Sequence, residues 1–196
     1  MKKKEFYSLG IMSGTSLDGL DFSLIRSDGH KKVKVLFNYN FKFKNEIRED
    51  ISKLIKKFND FSFSDVVNSD FYKRTNSLFS RLIIEKINIF LKNKSFEFSR
   101  VDLIGLHGNT LLHKPKNKIS FQLGDPIFLA NQLKKTLVCN FRKKDIFFGG
   151  QGAPLVPVFH RLIFSKKTKN IMVVNLGGIS NFTLLVGEKK IFASDI

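Results

Sequence analysis

This chain of 196 residues is poor in several features that mark common protein classes. Cys139 is its single cysteine, which rules out an internal disulfide and argues against a four-ligand structural zinc site. No stretch comes near the ~18 consecutive apolar residues of a membrane-spanning helix. The N-terminal segment MKKKEFYSLG also lacks the apolar core of a signal peptide. We therefore expect a cytoplasmic protein that does not contact membranes.

Acidic residues are scarce as well, since 17 Asp and Glu stand against 34 Lys and Arg, for a formal net charge of +17. An excess of this size attracts anionic ligands and raises nucleic acid as a partner. The basic residues are nevertheless spread along the chain in short clusters, and the sequence contains no zinc finger, basic zipper or aromatic RNA-binding signature. A solvated basic surface is the simpler interpretation, and we expect no specific nucleic-acid partner.

Hydrophobic periodicity predicts a mixed α/β fold. Three successive strands open the chain, where apolar residues alternate with polar ones, most regularly over residues 33–43. A helical period follows, and strands and helices then alternate as far as residue 164. The predicted strands are 6–11, 20–25, 33–43, 101–106 and 137–141, and the predicted helices are 47–58, 65–92, 126–134 and 155–164. Asp125 is predicted to be the N-cap of the helix at 126–134. Together they indicate a mixed five-stranded sheet covered by helices.

The strand pattern begins again after residue 169. Strands are predicted at 171–176, 182–186 and 190–193, with the turn Gly177-Gly178 between the first two. This segment resembles the opening of the chain, in which an apolar strand, a glycine turn and a second apolar strand also follow one another. We therefore expect one domain over residues 1–166 and the beginning of a second, similar domain over residues 167–196.

A dense turn of small and polar residues, SGTSLDG, separates the first two predicted strands. Glycines allow backbone N–H groups to converge on an anion, and the hydroxyls of Ser13, Thr15 and Ser16 add donors. Asp18 or Asp21 could hold a hydrated Mg²⁺ or order the turn. The turn is not a Walker A loop, because neither the GxxxxGK[ST] pattern nor a following helix is present. Composition alone leaves a phosphate-binding loop and an ordinary hairpin turn equally open.

A second polar cluster follows the last strand predicted for the five-stranded sheet. Arg142 and Asp145 lie where open α/β sheets place ligands, and the loop at 149–152 leads into a helix whose N–H groups would face the same cleft. The alternative is a surface ion pair of Arg142 and Asp145 beside a flexible loop. In LHGNTLLH, His107 and His113 lack an evident third metal ligand, so we expect no metal site there. His107 is interpreted as a hydrogen-bond partner of a sugar hydroxyl or as a partly buried structural histidine.

Five segments occur in the order found in 1,6-anhydro-N-acetylmuramic acid kinases: GIMSGTSLDGLD, LHGNTLLH, FQLGD, FRKKD…GGQGAPLVPVFH and NLGGISNFT. The chain resembles that family from about Gly10 to Asp195. The resemblance implies an actin-like ATPase fold of the ribonuclease H type, with two related domains, ATP and Mg²⁺ in the cleft between them, and a homodimer. It also implies hydrolysis of the 1,6-anhydro bond of anhydro-N-acetylmuramic acid with phosphorylation of O6, which gives N-acetylmuramate 6-phosphate during cell-wall recycling.

The resemblance also implies roles for individual residues. Asp195 stands at the position of the aspartate that activates water for attack at C1 of the sugar. Two hairpins would bind the ATP phosphates, with Gly14, Thr15, Ser16, Leu17, Asp18, Gly19, Leu20 and Asp21 in the first and Asn175, Gly177, Gly178 and Asn181 in the second. The sugar would be bound by His107, Gln122, Arg142, Asp145 and Gln151.

Three departures from the family pattern bear on activity. Asn109 replaces the usual glutamine, Asn140 replaces an acidic residue, and the chain ends at Ile196 where the family continues. Half of the ATP-binding clamp would then be missing, and we expect the 196 residues alone to have little or no activity. The alternative is a non-catalytic remnant of such a kinase that binds a ligand or a partner.

Overall fold

The structure is a computed structural model that describes residues 5–176 and 180–196. Its helices and strands fall into two compact units, of which the first ends at Phe141 and the second begins at Arg142. The domain boundary expected after residue 166 lies inside the second unit and stays a prediction.

The first unit contains a mixed sheet with the strand order β3-β2-β1-β4-β5. Its strands are β1 (Phe6–Ser13), β2 (Gly19–Ser27), β3 (Val33–Lys42), β4 (Leu103–Lys114), β5 (Ile119–Leu123) and β6 (Thr136–Val138). The first three are antiparallel, and β4 lies parallel to β1. The predicted mixed sheet is therefore confirmed. It has one strand more than predicted, namely β5, which pairs with the end of β4, while β6 pairs with the beginning of β4.

Strand β4 is longer than the sequence predicts. The predicted strand stops at residue 106 and the residues between His107 and His113 are interpreted as a loop, whereas β4 continues to Lys114. The extension is stabilised by β5, which the periodicity does not reveal and which pairs with it antiparallel. Two irregularities in β4 hide its period. The register to β1 shifts between Leu106 and Gly108, and the register to β5 shifts between Thr110 and Leu112.

The α-helices described in this unit are α1 (Asn45–Asp60), α2 (Phe63–Asn68), α3 (Asp70–Asn93) and α4 (Pro126–Leu133). The single helix predicted at 65–92 is wrong, because Ser69 has an extended backbone and separates α2 from α3. Its Oγ accepts a hydrogen bond from the N–H of Tyr72, which makes it the N-cap of α3. Asp125 caps α4 as predicted, since its Oδ1 accepts from the N–H of Phe128 at 2.9 Å. None of the helices in the described ranges is both long and apolar enough to cross a bilayer.

One face of the sheet is buried beneath α1 and α3, where the alternate apolar residues of β1 and β2 form the core. Phe22 of β2, for example, contacts Phe90 of α3 with ring centroids 5.6 Å apart. Side chains of a strand alternate between faces, so Gly10, Asp21 and Ser23 lie on the opposite face, which is more polar. The candidate site of this unit lies along that polar face and at its edge.

The second unit begins within α5 (Phe141–Phe147) and continues with α6 (Pro157–Phe164), β7 (Asn170–Asn175), β8 (Asn181–Val186) and β9 (Lys190–Asp195). The three strands form an antiparallel sheet in chain order, which confirms the predicted restart of the strand pattern. The strand predicted at 137–141 is too long. β6 ends at Val138, and Asn140, with a φ of 57°, turns the chain into α5.

Candidate functional site

The loop between β1 and β2 spans residues 14–18 and begins with a four-residue turn, 14–17, whose ends are fixed from inside the protein. The carbonyl of Gly14 accepts a hydrogen bond from the N–H of Leu17 at 3.2 Å, which closes the turn. Leu17 has a φ of 56°, and its side chain is anchored in the core. Thr15 and Ser16, at the centre of the turn, are exposed. The loop therefore presents its hydroxyls to solvent on a well-anchored backbone.

The remaining residues of the predicted phosphate loop have different surroundings. Gly19 lies so close to β3 that a Cβ would overlap the carbonyl of Phe41, so the close strand pairing requires glycine. Leu20 is completely buried in the core, and it could contact a ligand only through its backbone. Asp18 and Asp21 are exposed, and Oδ1 of Asp21 accepts from Nδ2 of Asn40 at 2.8 Å.

Asn109 lies directly behind this loop, at the point where β4 reaches the end of β1. Its Nδ2 donates to Oγ of Ser13 at 3.0 Å and to the carbonyl of Gly14 at 2.9 Å. The sequence marks Asn109 only as a departure from the family, because its partners are more than 90 residues away along the chain. The parallel pairing of β1 with β4, which brings Asn109 beside Ser13, is the signal that could have identified it.

Two clefts open on the polar side of the sheet, and Asp21 and Asn40 line both of them. The first has a volume of about 600 Å³ and is lined mainly by β1–β4 and by Phe141. The second, of about 580 Å³, lies beside the loop. Its lining residues are Leu17, Asp18, Asp21, Asn40, Lys42, Phe43 and Arg48. An anionic ligand at the loop would thus meet two carboxylates and two cationic side chains.

His107 lines the first cleft because a β-bulge turns it there. Leu106 pairs with Ile11 and Gly108 pairs with Met12, so His107 is the extra residue of β4. Its Nδ1 lies 3.0 Å from the carbonyl oxygen of Gly108. The interpretation of the residues between His107 and His113 as a loop is wrong, but His107 does lie beside the candidate site.

Gln122 lies on β5 next to the bulge, and its Nε2 donates to Oγ of Ser120 at 2.8 Å. Oγ of Ser120 also contacts Nδ1 of His113 at 3.0 Å, so His113 belongs to a hydrogen-bonded chain on β4 and β5. Within the ranges that the structure describes, no group of three or more His, Cys, Asp or Glu side chains is arranged to hold a metal ion.

In the second unit, Arg142 and Asp145 lie on α5 and hold the glycine loop that follows it. Nη1 of Arg142 donates to the carbonyl of Gly152 at 2.8 Å, and Oδ2 of Asp145 accepts from the N–H of Gly152 at 2.6 Å. Gly152 is buried with a φ of 69°, which favours glycine, and Gln151 beside it is exposed. Neither interpretation of the sequence anticipated this arrangement, in which both side chains fold the loop back onto the helix.

Three other predicted residues of this unit, Asn175, Asn181 and Asp195, lie in one row across its sheet. Asn181 of β8 is the register partner of both Asn175 on β7 and Asp195 on β9. Gly177 and Gly178, predicted between Asn175 and Asn181, lie outside the described residues. Asp195 also acts on Arg142. Burial lowers the pKa of the Arg142 guanidinium, and the negative charge of Asp195 opposes that shift. The carboxylate of Asp195, the predicted base, thus acts electrostatically on Arg142, a predicted sugar-binding residue.

Comparison with known proteins gives a consistent result. A family model described as Anhydro-N-acetylmuramic acid kinase matches residues 6–196. Proteins of that name include one from Pelagibacter ubique, 40% identical over 194 residues, and one from Bacillus cereus, 34% identical over 192 residues. The alignments cover 96% and 94% of this chain, but 50% and 48% of the relatives. The chain therefore spans about half the length of the relatives that it matches.

Similar solved structures include a reductive activator for a corrinoid, iron-sulfur protein, with a TM-score of 0.48 and 15% identity. A Ppx/GppA family member from Aquifex aeolicus has a TM-score of 0.39 and 9% identity. These matches cover 100% and 97% of this chain, and 31% and 51% of the other proteins. At such TM-scores the family assignment rests on the sequence matches alone.

Proposed function

The chain belongs to the anhydro-N-acetylmuramic acid kinase family, and we propose on that basis that it forms the phosphate-binding part of an ATP-dependent kinase acting on anhydro-N-acetylmuramic acid. The observation that carries the proposal is the turn between β1 and β2. Thr15 and Ser16 face solvent there, while the Gly14 carbonyl is held from behind. Fixed donors of this kind suit the phosphates of ATP, because phosphoryl transfer depends mainly on positioning and charge stabilisation.

In the proposed reaction, water attacks C1 of the sugar while the bond between C1 and the bridging O6 breaks. Asp195 takes a proton from that water, since a carboxylate exposed at the end of β9 is a competent general base. The freed O6 then attacks the γ-phosphoryl group of ATP, and ADP leaves. The product is N-acetylmuramate 6-phosphate, with the oxygen from water on C1.

The sugar side of the proposed site centres on Arg142. Arginine remains protonated despite its partly buried position, so its charge would orient the sugar beside Asp195. Asp145 and Gln151 are proposed as further sugar contacts in this unit. His107, the extra residue of the bulge in β4, and Gln122, on the neighbouring strand β5, are the proposed sugar contacts of the first unit.

Magnesium would be held near Asp18 and Asp21. In nucleotide-dependent enzymes Mg²⁺ is bound by one or two carboxylates together with phosphates and waters, and both carboxylates line the cleft beside the loop. The hydrogen bond from Asn40 fixes the orientation of the Asp21 carboxylate. When bound, the ion would neutralise charge on the transferred phosphoryl group.

The same proposal places the protein in the cytoplasm, in the amino-sugar metabolism of cell-wall recycling, and as a homodimer. Its net charge of +17 would attract ATP and other anions. No specific nucleic-acid partner is part of the proposal. The resemblance to the family and the composition of the sequence support these parts of the proposal.

The test is a coupled assay of ADP release with anhydro-N-acetylmuramic acid and MgATP. Two proteins are compared, namely the 196-residue chain and a fusion of it to the part of the Pelagibacter ubique relative that it does not cover. We expect sugar-dependent ADP release from the fusion and little from the chain alone. In the fusion, Asp195→Asn should abolish release while MgATP binding measured by calorimetry is retained.

A fusion that binds MgATP and sugar but never releases ADP would contradict the kinase proposal. It would favour the alternative of a non-catalytic binding remnant. Robust turnover by the 196-residue chain alone would contradict the expectation that the chain by itself has little or no activity.

A further inference from the structure

Asn109 is completely buried, and its contacts fix the orientation of its amide group. The carbonyl of Gly14 can only accept a hydrogen bond, so the atom 2.9 Å from it must be the donor Nδ2. The second hydrogen of Nδ2 points to Oγ of Ser13. Across the described residues, Oδ1 of Asn109 is buried and has no hydrogen-bond partner. Asn109 therefore leaves one buried oxygen unpaired while its amide nitrogen serves both the buried Oγ of Ser13 and the Gly14 carbonyl.

The contacts of Asn109 decide which way the loop carbonyl points. The Gly14 oxygen receives two donors, one from Leu17 and one from Asn109, and both lie on the protein side of the turn. A carbonyl oxygen carries partial negative charge and would repel a phosphate if it pointed outward. Turning it inward leaves the hydroxyls of Thr15 and Ser16 on the outside.

We propose that Asn109 is a positioning residue that holds the Ser13-Gly14 segment in the conformation that binds the triphosphate of ATP. This inference rests on the proposed function, because it concerns the ligand of the same loop. Asn109 itself is buried and does not touch the ligand.

The bulge in β4 makes this contact possible. His107 is the extra residue of the bulge, and Gly108 after it has a φ of 71°. The same distortion therefore turns His107 into the cleft of the sheet face and places Asn109 behind the loop. The loop and the cleft are positioned by one short segment of strand.

The experiment compares Asn109→Asp with Asn109→Gln in the full 196-residue chain. Aspartate has the size of asparagine but places an oxygen against the Gly14 carbonyl, whereas glutamine retains the NH₂ donor. One readout is hydrogen exchange of the Leu17 amide, whose acceptor is the Gly14 carbonyl. The other is calorimetric titration with tripolyphosphate and with MgATP. Ser69→Ala is the control, because it removes a helix cap without touching the loop.

We expect Asn109→Asp to speed exchange of the Leu17 amide and to weaken binding of both probes about tenfold or more, with partial recovery in Asn109→Gln. The Ser69→Ala control should change neither readout. If Asn109→Asp does not fold, Asn109→Ala takes its place with the same expectations. Unchanged Leu17 exchange together with unchanged affinity would overturn the inference.

Failure of the proposed function has a different signature. If the unaltered chain binds neither tripolyphosphate nor MgATP, the phosphate-binding role of the loop is wrong, and the inference about the triphosphate is overturned with it. If the unaltered chain binds both probes, and the Asn109 variants bind them equally well with unchanged exchange of the Leu17 amide, the proposed function stands. The role of Asn109 is then rejected.

Discussion

Gly108 in β4 is a position where one added methyl group should be very costly. Its φ is +71°, and a Cβ would overlap the carbonyl oxygen of Leu123 on β5. The left-handed backbone costs an alanine ~1–2 kcal/mol. Relief of the overlap requires β5 to move away, which weakens pairing worth about 0.5–1.5 kcal/mol for each hydrogen bond. We expect Gly108→Ala to lower the free energy of unfolding by about 2–4 kcal/mol.

Gly29 offers a matched control for this substitution. It has nearly the same backbone conformation, with a φ of +70°, but nothing lies within 4 Å of the place where its Cβ would be. Gly29→Ala should therefore lower the free energy of unfolding only by the cost of the left-handed backbone, ~1–2 kcal/mol. Urea denaturation of both variants gives the two losses, and their difference measures the overlap with β5.

The result that would refute this reasoning is an equal loss of stability in the two variants. It would mean that β5 does not approach Gly108 closely in the folded protein. The placement of β5 and Gln122 beside the bulge, and with it this part of the candidate site, would then be wrong.

Three further predictions concern other parts of the chain. Ser69→Ala should lower the free energy of unfolding by about 1 kcal/mol in urea denaturation, because the N-cap bond to Tyr72 is lost; no loss would contradict the capped break between α2 and α3. Burial lowers the pKa of His160 below its ordinary value of 6.5, so the unfolded chain binds a proton more readily. Stability should fall as the pH drops below about 6.5. His160→Gln should flatten this part of the dependence of the melting temperature on pH, measured by thermal denaturation. An unchanged dependence on pH in the variant would exclude His160 as its cause. In the fusion protein, Asp195→Asn should remove ADP release without weakening MgATP binding, and release that survives would exclude Asp195 as the base.

The elements that the sequence predicts correctly are those whose signals are local. The alternation in 33–43 and the helical period in 47–58 each lie within one element, and the predicted cap Asp125 acts on a residue only three positions away. The errors occur where a single residue changes the backbone. Ser69 interrupts a helical period that continues on both sides, and Asn140 ends a strand early through its positive φ.

The candidate site was located from the sequence only in part. The turn at residues 14–18 is recognisable because its glycines, hydroxyls and acids are adjacent. The contacts that fix it are not adjacent, since Asn109 and Asn40 come from strands far along the chain. The bulge at His107 shifts the alternation of β4, so the period of the sequence does not show which face each side chain occupies.

The central claim is that the turn between β1 and β2 binds phosphate. The most direct test is a titration of the isotope-labelled chain with MgATP, followed residue by residue through its backbone amide resonances. The turn at the other end of β2 is an internal reference, because Asp28 closes it by accepting from the N–H groups of His30, Lys31 and Lys32. We predict that MgATP shifts the resonances of residues 14–21 and leaves those of residues 28–32 unchanged. Equal shifts in both turns, or none in the first, would show that the first turn is an ordinary hairpin and would contradict the claim.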